Sequence, residues 1–322
     1  MGGPTISGWR EALLSVSDLD PWVRVYIEVG EWEVRHEGSV ATDVIEYLGV
    51  APGTRAREVV MGRKDASFGL VRLMAFEGDE RHPLIRSNGR PWETGGWFDI
   101  NARVDDMAAR FAQLQDLGWG GVSDPIEWEF GPVRVQEWLA YGPDGINWAI
   151  IERIDPPLPP AEQPGRMGPH FNSTQIVADI DGARRFYKDV LGFEAVIDVD
   201  DLPMMPGPMQ NVMGLPNEVA DTQRWNISML KAPGAAGGSV EIASLPGISG
   251  RDFAPLADPP NRGIISLRFP VDDVGALHEK LVDANVPIVN APQTVSLPPG
   301  DDVRMMTVRA PCGARLDFFE GG

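Results

Sequence analysis

Two spacings of apolar residues organise this chain, and they are clearest between Val177 and Phe193. Ala183, Phe186, Tyr187 and Val190 fall on one face of a helix. Asp179, just ahead of them, accepts hydrogen bonds from the free N–H groups of a first helical turn. Gly192 follows Leu191 and tolerates the left-handed backbone that ends a helix. On either side the period shortens to that of strands: one β-rich run ends at Asp179 and another opens at Glu194–Asp198. The stretch predicts strand, helix, strand, with a cap and a stop.

The same pattern recurs along the chain. A first module starts at Glu11, reaches Asp18, sets Trp22, Val25 and Tyr26 at helical positions, stops at Gly30 and resumes as a strand over 32–36. Tyr26 trails Asp18 just as Tyr187 trails Asp179. Further on, Leu48-Gly49-Val50 parallels Met213-Gly214-Leu215, and strands are predicted at 57–62 and 68–76. A second module has a strand over 97–104 and a helix from Asp106 with Met107, Ala108, Phe111, Leu114 and Leu117 at helical spacing. Gly118 ends that helix, and strands follow at 126–130, 133–140 and 146–152. A third is the opening stretch, continued by strands at 224–230 and 239–244. A fourth has strands at 263–269, 293–297, 303–308 and 314–320 around a helix from Asp273 through Leu277 and Leu281.

The repeat sets the expected architecture. Asp18 to Asp179 is a shift of about 161 residues and Asp106 to Asp273 one of about 167. The chain reads as an α+β fold of four βαβββ modules in two duplicated halves. Each open sheet has one apolar face, and two modules together close such faces into a cup. Residues 154–169 carry prolines at 156, 157, 159, 160 and 164 and read as a stiff linker. The expected division is therefore a half-barrel over 8–153, the linker over 154–169, and a second half-barrel over 170–320.

The Asp cap, the Phe-Tyr pair and the Leu-Gly-Phe stop, at these spacings, resemble the vicinal oxygen chelate superfamily of glyoxalases, bleomycin-resistance proteins and extradiol dioxygenases. The turn at Pro143-Asp144-Gly145 before a last strand is a further family feature, and the resemblance extends over nearly the whole chain. It implies two tandem half-barrels. It implies an activity less directly, because one fold hosts many chemistries.

Charge and composition narrow the partners. A net charge of −19 disfavours nucleic acid, whose phosphates an acidic surface repels. No apolar run approaches the roughly 18–20 residues of a membrane span. The first residues lack the basic start and apolar core of a secretory leader. The lone Cys312 fits a reducing cytoplasm. Monomer and homodimer both remain open, since two barrels on one chain already supply the pairing that single-barrel relatives obtain by dimerising.

In metal-using relatives each barrel holds one divalent ion on the first and last strands of its modules. The first-strand ligand, often histidine, stands roughly seven residues ahead of the capping Asp. Carried onto the second half, these places hold Asn172, Glu241, Ile264 and Asp317; in the first half they hold Glu11, Arg72, Asp99 and Ala149. Asn is a poor transition-metal ligand and Ile is none, so no metal or other cofactor is expected. The fallback is a one-histidine, two-carboxylate site of His170, Glu241 and Asp317, should a strand irregularity turn His170 inward. The preferred expectation places His170 at the barrel rim. Arg72 among Glu11 and Asp99 reads either as an ion-pair cluster that fixes the fold or as a grip on a substrate carboxylate.

Glu241 and Asp317, facing one apolar cavity, would raise each other's pKa, and a raised carboxylate is a general base near neutral pH. Asn172 would be their oxyanion partner. Unless those carboxylates are tied up by arginines, the expected activity is that of a lyase or isomerase acting on a small apolar or aromatic molecule. The alternatives are a non-catalytic drug-binding (resistance-type) protein, or a metal-dependent enzyme such as a dioxygenase. Met205, Met209 and Met213, in a Pro/Gly-rich loop, and Trp225 are expected to cover the ligand, with His170 and Arg72 as further contacts.

Overall fold

A computed structural model of the protein describes residues 3–78, 82–203 and 211–321. Module one contains β1 (Glu11–Ser15), α1 (Leu19–Gly30), β2 (Glu33–Ser39), α2 (Thr42–Leu48), β3 (Ala56–Gly62) and β4 (Leu70–Phe76). Module two contains β5 (Asp99–Val104), α3 (Met107–Asp116), the short β6 (Gly120–Gly121), β7 (Ile126–Phe130), β8 (Val133–Tyr141) and β9 (Asn147–Asp155). Module three contains β10 (Met167–Ile176), α4 (Ile180–Arg184), β11 (Glu194–Pro203), α5 (Asn217–Ala220), β12 (Arg224–Lys231) and β13 (Ser239–Ser244). Module four contains β14 (Gly263–Val271), α6 (Val274–Asp283), β15 (Ile288–Ser296), β16 (Asp302–Arg309) and β17 (Arg315–Glu320).

The caps act as their residue types require. Asp179 accepts from Gly182 N at 2.9 Å, Asp106 from Ala109 N at 3.1 Å and Asp273 from Ala276 N at 2.8 Å. After α4 the chain continues as a wider π-type turn over Arg185–Leu191 and stops at Gly192, whose φ of 84° is left-handed. In module one the stop falls one residue later than expected. Gly30 closes α1, and Glu31 adopts the left-handed cap at φ 57°.

The modules do not pair within the halves. One eight-stranded sheet runs β15-β16-β17-β14-β1-β4-β3-β2, joining module four to module one. The other, of nine strands, runs β11-β12-β13-β10-β5-β9-β8-β6, with β7 on β8, and joins module three to module two. The seams are antiparallel: Leu13 faces Ser266 across β1 and β14, and Asn172 faces Asn101 across β5 and β10. The division at the proline-rich segment is thereby corrected. That segment connects two modules of one sheet, and the chain passes between cups after β4 and after β13. These two crossings lie side by side: Leu84 bridges Arg262, Thr94 bridges Asp252, and the Arg86 guanidinium sits between the Phe98 and Phe253 rings.

Outer sheet faces and helices share one core. Trp22, Tyr26, Trp148, Tyr187, Phe269 and Phe318 are all fully buried in it. The eight-stranded cup is filled from within by α2, whose Val44, Ile45, Tyr47 and Leu48 pack on Leu13, Met74, Ile265 and Met305. Its apolar run is too short for periodicity to separate helix from strand, so this helix is not legible in the sequence pattern. Its end is the Leu48-Gly49 stop that parallels Met213-Gly214, and both glycines are left-handed, at φ 75° and 61°. Among the described residues the nine-stranded cup has no such plug and encloses a cavity.

Candidate functional site

The hollow cup encloses about 530 Å³. Its walls are apolar, with Phe98, Trp128, Met213, Trp225 and Ile227 among them. Its floor is polar and is set by register. Thr174 on β10 pairs with Asp99 on β5 and with Glu241 on β13, so the three stand in one row across adjacent strands. Side chains alternate faces along a strand, so Asn101 and Asn172, one cup-facing step along, form the next row. Glu137 reaches in from β8 and accepts from the Trp128 indole N–H at 2.8 Å.

The polar groups are held in defined orientations. The Thr174 main-chain N–H donates to Asp99 Oδ1 at 3.0 Å. Hydrogen-bond logic turns the Asn101 amide so that its nitrogen donates to Asp99 Oδ1 at 2.8 Å and to the Asn172 carbonyl at 3.3 Å. Ser239 Oγ donates to Asn172 Oδ1 at 2.8 Å, which leaves the Asn172 amide nitrogen facing Glu241 Oε2 at 3.5 Å. That long contact leaves the amide free to serve a ligand.

Burial dominates the proton chemistry. Asp99 is 2% exposed. Its carboxyl is pushed up to about 7, mainly by burial, against the hydrogen bonds from Thr174 and the more distant charge of Arg86. Glu137 rises to about 7 through burial and the Asp99 charge. Glu241 rises to about 8 through burial, then the charges of Asp99 and Glu137, with Asn172 and Thr174 opposing. Glu137 and Glu241 keep part of their surface open to the cavity, yet enough protein surrounds them that burial leads in both. Three carboxyls that cannot all ionise cheaply thus titrate around neutrality in one cavity.

The structure redistributes the expected site. Glu241, Asn172, Met213 and Trp225 line the hollow cup. Asp317 does not join them, because β17 belongs to the other sheet. It is 1% exposed and accepts from Ser266 Oγ at 2.6 Å and Thr307 Oγ1 at 2.7 Å, with Arg268 Nε at 3.4 Å. The Glu241–Asp317 pair is thus replaced by Glu241 with Asp99 and Glu137. Arg72 also lies in the other cup. It pairs with Glu11 at 2.9 Å and Glu58 at 2.8 Å, not with Asp99, and Arg268 joins through Glu11 at 2.6 Å. With both guanidiniums bound to acids, this is an ion-pair cluster and Arg72 has no free fork for a substrate. Met205 and Met209 lie outside the described residues.

His170 is corrected by a β-bulge. The register of β10 against β5 shifts between His170 and Asn172. The extra residue reverses the alternation, so Phe171 and Asn172 both meet the cavity while His170 turns to the opposite face. There it is fully buried, 3.0 Å from Tyr26 Oη and ringed by Trp32 and Trp148. Burial lowers its pKa to about 3, so it is neutral. It is neither a rim residue, nor a ligand contact, nor a partner of Glu241. The matching strand β14 shifts register at the same place, between the partners of Leu13 and Leu14. Ile264 accordingly sits in the outer core, and Ser266 takes the cup-facing position.

Two half-barrels from four βαβββ modules, one plugged by its own helix and one hollow over acidic groups, define a protein of the vicinal oxygen chelate fold. Residues 169–318 match the profile of the Glyoxalase/Bleomycin resistance protein/Dioxygenase superfamily. The matched segment is just under half of the chain, and over it the chain is similar to that superfamily. Among solved structures, glyoxalase I from Zea mays is similar at 16% identity and a TM-score of 0.63, over 98% of this chain and 93% of that one. A putative dioxygenase from Bacillus subtilis is similar at 11% identity and a TM-score of 0.58, over 98% and 86%. At these identities the likeness concerns the fold. No curated protein sequence matches the chain.

Relatives of this fold often hold a metal. Strand pairing brings Asp99, Ala149, Asn172 and Glu241 to the corresponding places of the hollow cup. Ala149 has no donor, Asp99 is already bonded to Thr174 and Asn101, and no imidazole is present. Among the described residues no group of three or more His, Cys, Asp or Glu is arranged around a common ion position. This donor set does not fit the family's imidazole-containing site.

Proposed function

We propose that the hollow cup is a catalytic pocket for proton-transfer chemistry of the lyase or isomerase type on a small carbonyl compound with an apolar or aromatic body. The observation that carries this reading is the row Asp99–Thr174–Glu241 beside Glu137, inside an apolar cavity. With carboxyls titrating at about 7 and about 8, the cluster holds both ionised and protonated members at neutral pH. An ionised carboxylate takes a proton from the carbon next to a carbonyl, and a protonated neighbour returns one at the adjacent position or to a leaving group. The Asn172 amide, fixed by Ser239, donates to the developing oxyanion. The apolar walls keep water from competing for the proton.

The test is deuterium uptake from heavy water into a panel of aryl and branched-alkyl carbonyl compounds, followed by proton NMR. Glu241→Gln should abolish the exchange that the wild type catalyses. Exchange at the wild-type rate in that variant would refute the assignment. Trp128 and Trp225, lining the cavity near opposite edges of the sheet, favour a second reading, ligand sequestration without turnover. Saturable binding with no exchange across the panel would select it.

A further inference from the structure

We infer that the ligand of the hollow cup is an organic anion, its carboxylate or phosphate held by Arg103, Arg153 and Lys231 at one end of the cavity. All three line the cup and all three are half-buried. The chain has 47 acidic against 28 basic residues, so a cation on it finds an acid easily. Buried Arg72, Arg262 and Arg268 do so, while buried Arg86 is satisfied by main-chain carbonyls. Yet among the described residues no carboxylate lies within 4.0 Å of Arg103, Arg153 or Lys231. Three cations lining one end of a cavity, none within bonding distance of an acid among the described residues, suit a counter-charge from outside.

The register places Arg103 and Arg153 on adjacent strands, with Lys231 toward the same end but three strands from Arg103. Arg103 on β5 pairs with Ile151 on the parallel β9, and Arg153 is the next cup-facing residue of β9. Burial lowers the Arg103 pKa, and the neighbouring Arg153 charge lowers it further, with Glu162 attracting from outside bonding distance. An anion between the two would relieve that repulsion. The Arg103 guanidinium lies over the Phe171 ring, 4.2 Å from its centroid, which sets the plane of the fork. Phe171 faces the cavity because of the same bulge that hides His170. Lys231 ends β12, one cup-facing step beyond Met229, the partner of Glu241. The loop before β4 closes this end. Phe68 lines the cavity, and Gly69, at φ 68°, abuts the His170 carbonyl so closely that a Cβ there would lie 2.0 Å from its oxygen.

Asp99 and Glu241 stand away from the cation end, whereas Glu137 lies in the row of Arg103 and Ile151, outside ion-pair distance of the arginines. Arg103 is two cup-facing steps from Asp99, roughly 13 Å of strand. An anionic group is attracted by the cations and repelled by ionised Asp99 and Glu241, so the ligand enters in one orientation with its apolar body among the apolar side chains of the cavity. That orientation rests on the catalytic reading above, whereas the binding does not.

Calorimetric titration at low salt with 3-phenylpropionate, phenyl phosphate and the neutral 3-phenylpropan-1-ol tests this. At least one anion should bind saturably and about ten times more tightly than the alcohol, and whichever anion it is identifies the head group. Arg153→Gln and Lys231→Gln should each weaken that anion by about ten- to a hundredfold. Arg153→Lys, which keeps the charge, should retain most of the affinity and guards against misfolding. Alcohol binding as tight as the anions, unchanged anion affinity in Arg153→Gln, or no saturable binding of either anion would overturn the proposal. Glu241→Gln should still bind the anion. A protein that binds anions but catalyses no deuterium exchange refutes the catalytic reading alone.

Discussion

Glu241→Gln should make the protein more stable at alkaline pH while leaving its stability at mildly acidic pH unchanged. Burial, Asp99 and Glu137 hold the Glu241 carboxyl at about 8, against 4.5 when unfolded. Between those two values the folded chain keeps a proton that the unfolded chain has released. Stability therefore falls as pH rises through this window. Below about pH 4.5 both states carry the proton and the penalty vanishes. At about 1.4 kcal/mol per pH unit, a raise of this size bounds the penalty at about 5 kcal/mol. Part of the carboxylate faces the cavity, where water screens it, so about 1–2 kcal/mol is the expected cost at pH 9.

Glutamine keeps the shape and removes the charge. Urea denaturation followed by tryptophan fluorescence at pH 5, 7 and 9 measures the difference directly. The wild type should lose stability steadily along that series. The variant should lose less, overtaking the wild type by about 1–2 kcal/mol at pH 9. Parallel pH profiles for the two proteins would mean that Glu241 ionises as if in water, and the coupled acid row would then be wrong. A variant destabilised equally at every pH would mean that the carboxylate's packing matters and its charge does not.

Other consequences follow from the two cups. Arg268→Met should cost about 3–5 kcal/mol in urea denaturation, because Glu11 and Asp317 would lose a buried counter-charge; a loss under 1 kcal/mol would show that Arg72 alone suffices. Glu11 is held below its usual carboxylate range by Arg72 and Arg268 against burial. Its contribution is full above pH 4.5 and is lost as the medium acidifies through the lowered value, so acid unfolding should move to higher pH in the Arg268 variant. Leu48→Ala, which hollows the plugged cup, should cost about 2–5 kcal/mol and leave ligand binding in the other cup unaltered. Chelator dialysis should leave ligand affinity and melting temperature unchanged, and stoichiometric zinc, manganese or iron by elemental mass spectrometry would contradict the donor-set argument.

Much of the local structure is legible along the chain because its causes are local. Asp106, Asp179 and Asp273 cap helices through their own side chains, and Gly192 ends one because it lacks a Cβ. The four-module repeat is visible for the same reason, since each module repeats its own caps, stops and strand runs. The family resemblance, laid on that repeat, points to Glu241 and Asn172 on the last and first strands of a single module, and both line the hollow cup.

What only the tertiary structure decides is which module meets which. Module three closes on module two and module four on module one, and the choice lies in seams between strands far apart in sequence. That pairing removes Asp317 from the site, brings in Asp99 and Glu137, and gathers Arg103 with Arg153. Register decides the rest. One extra residue at Phe171–Asn172 reverses the alternation of side chains, sending His170 into the core and Phe171 under an arginine. Strand periodicity in the sequence sets the interval between like-facing residues. The phase of that interval depends on a hydrogen-bond ladder with another strand, which no single segment contains.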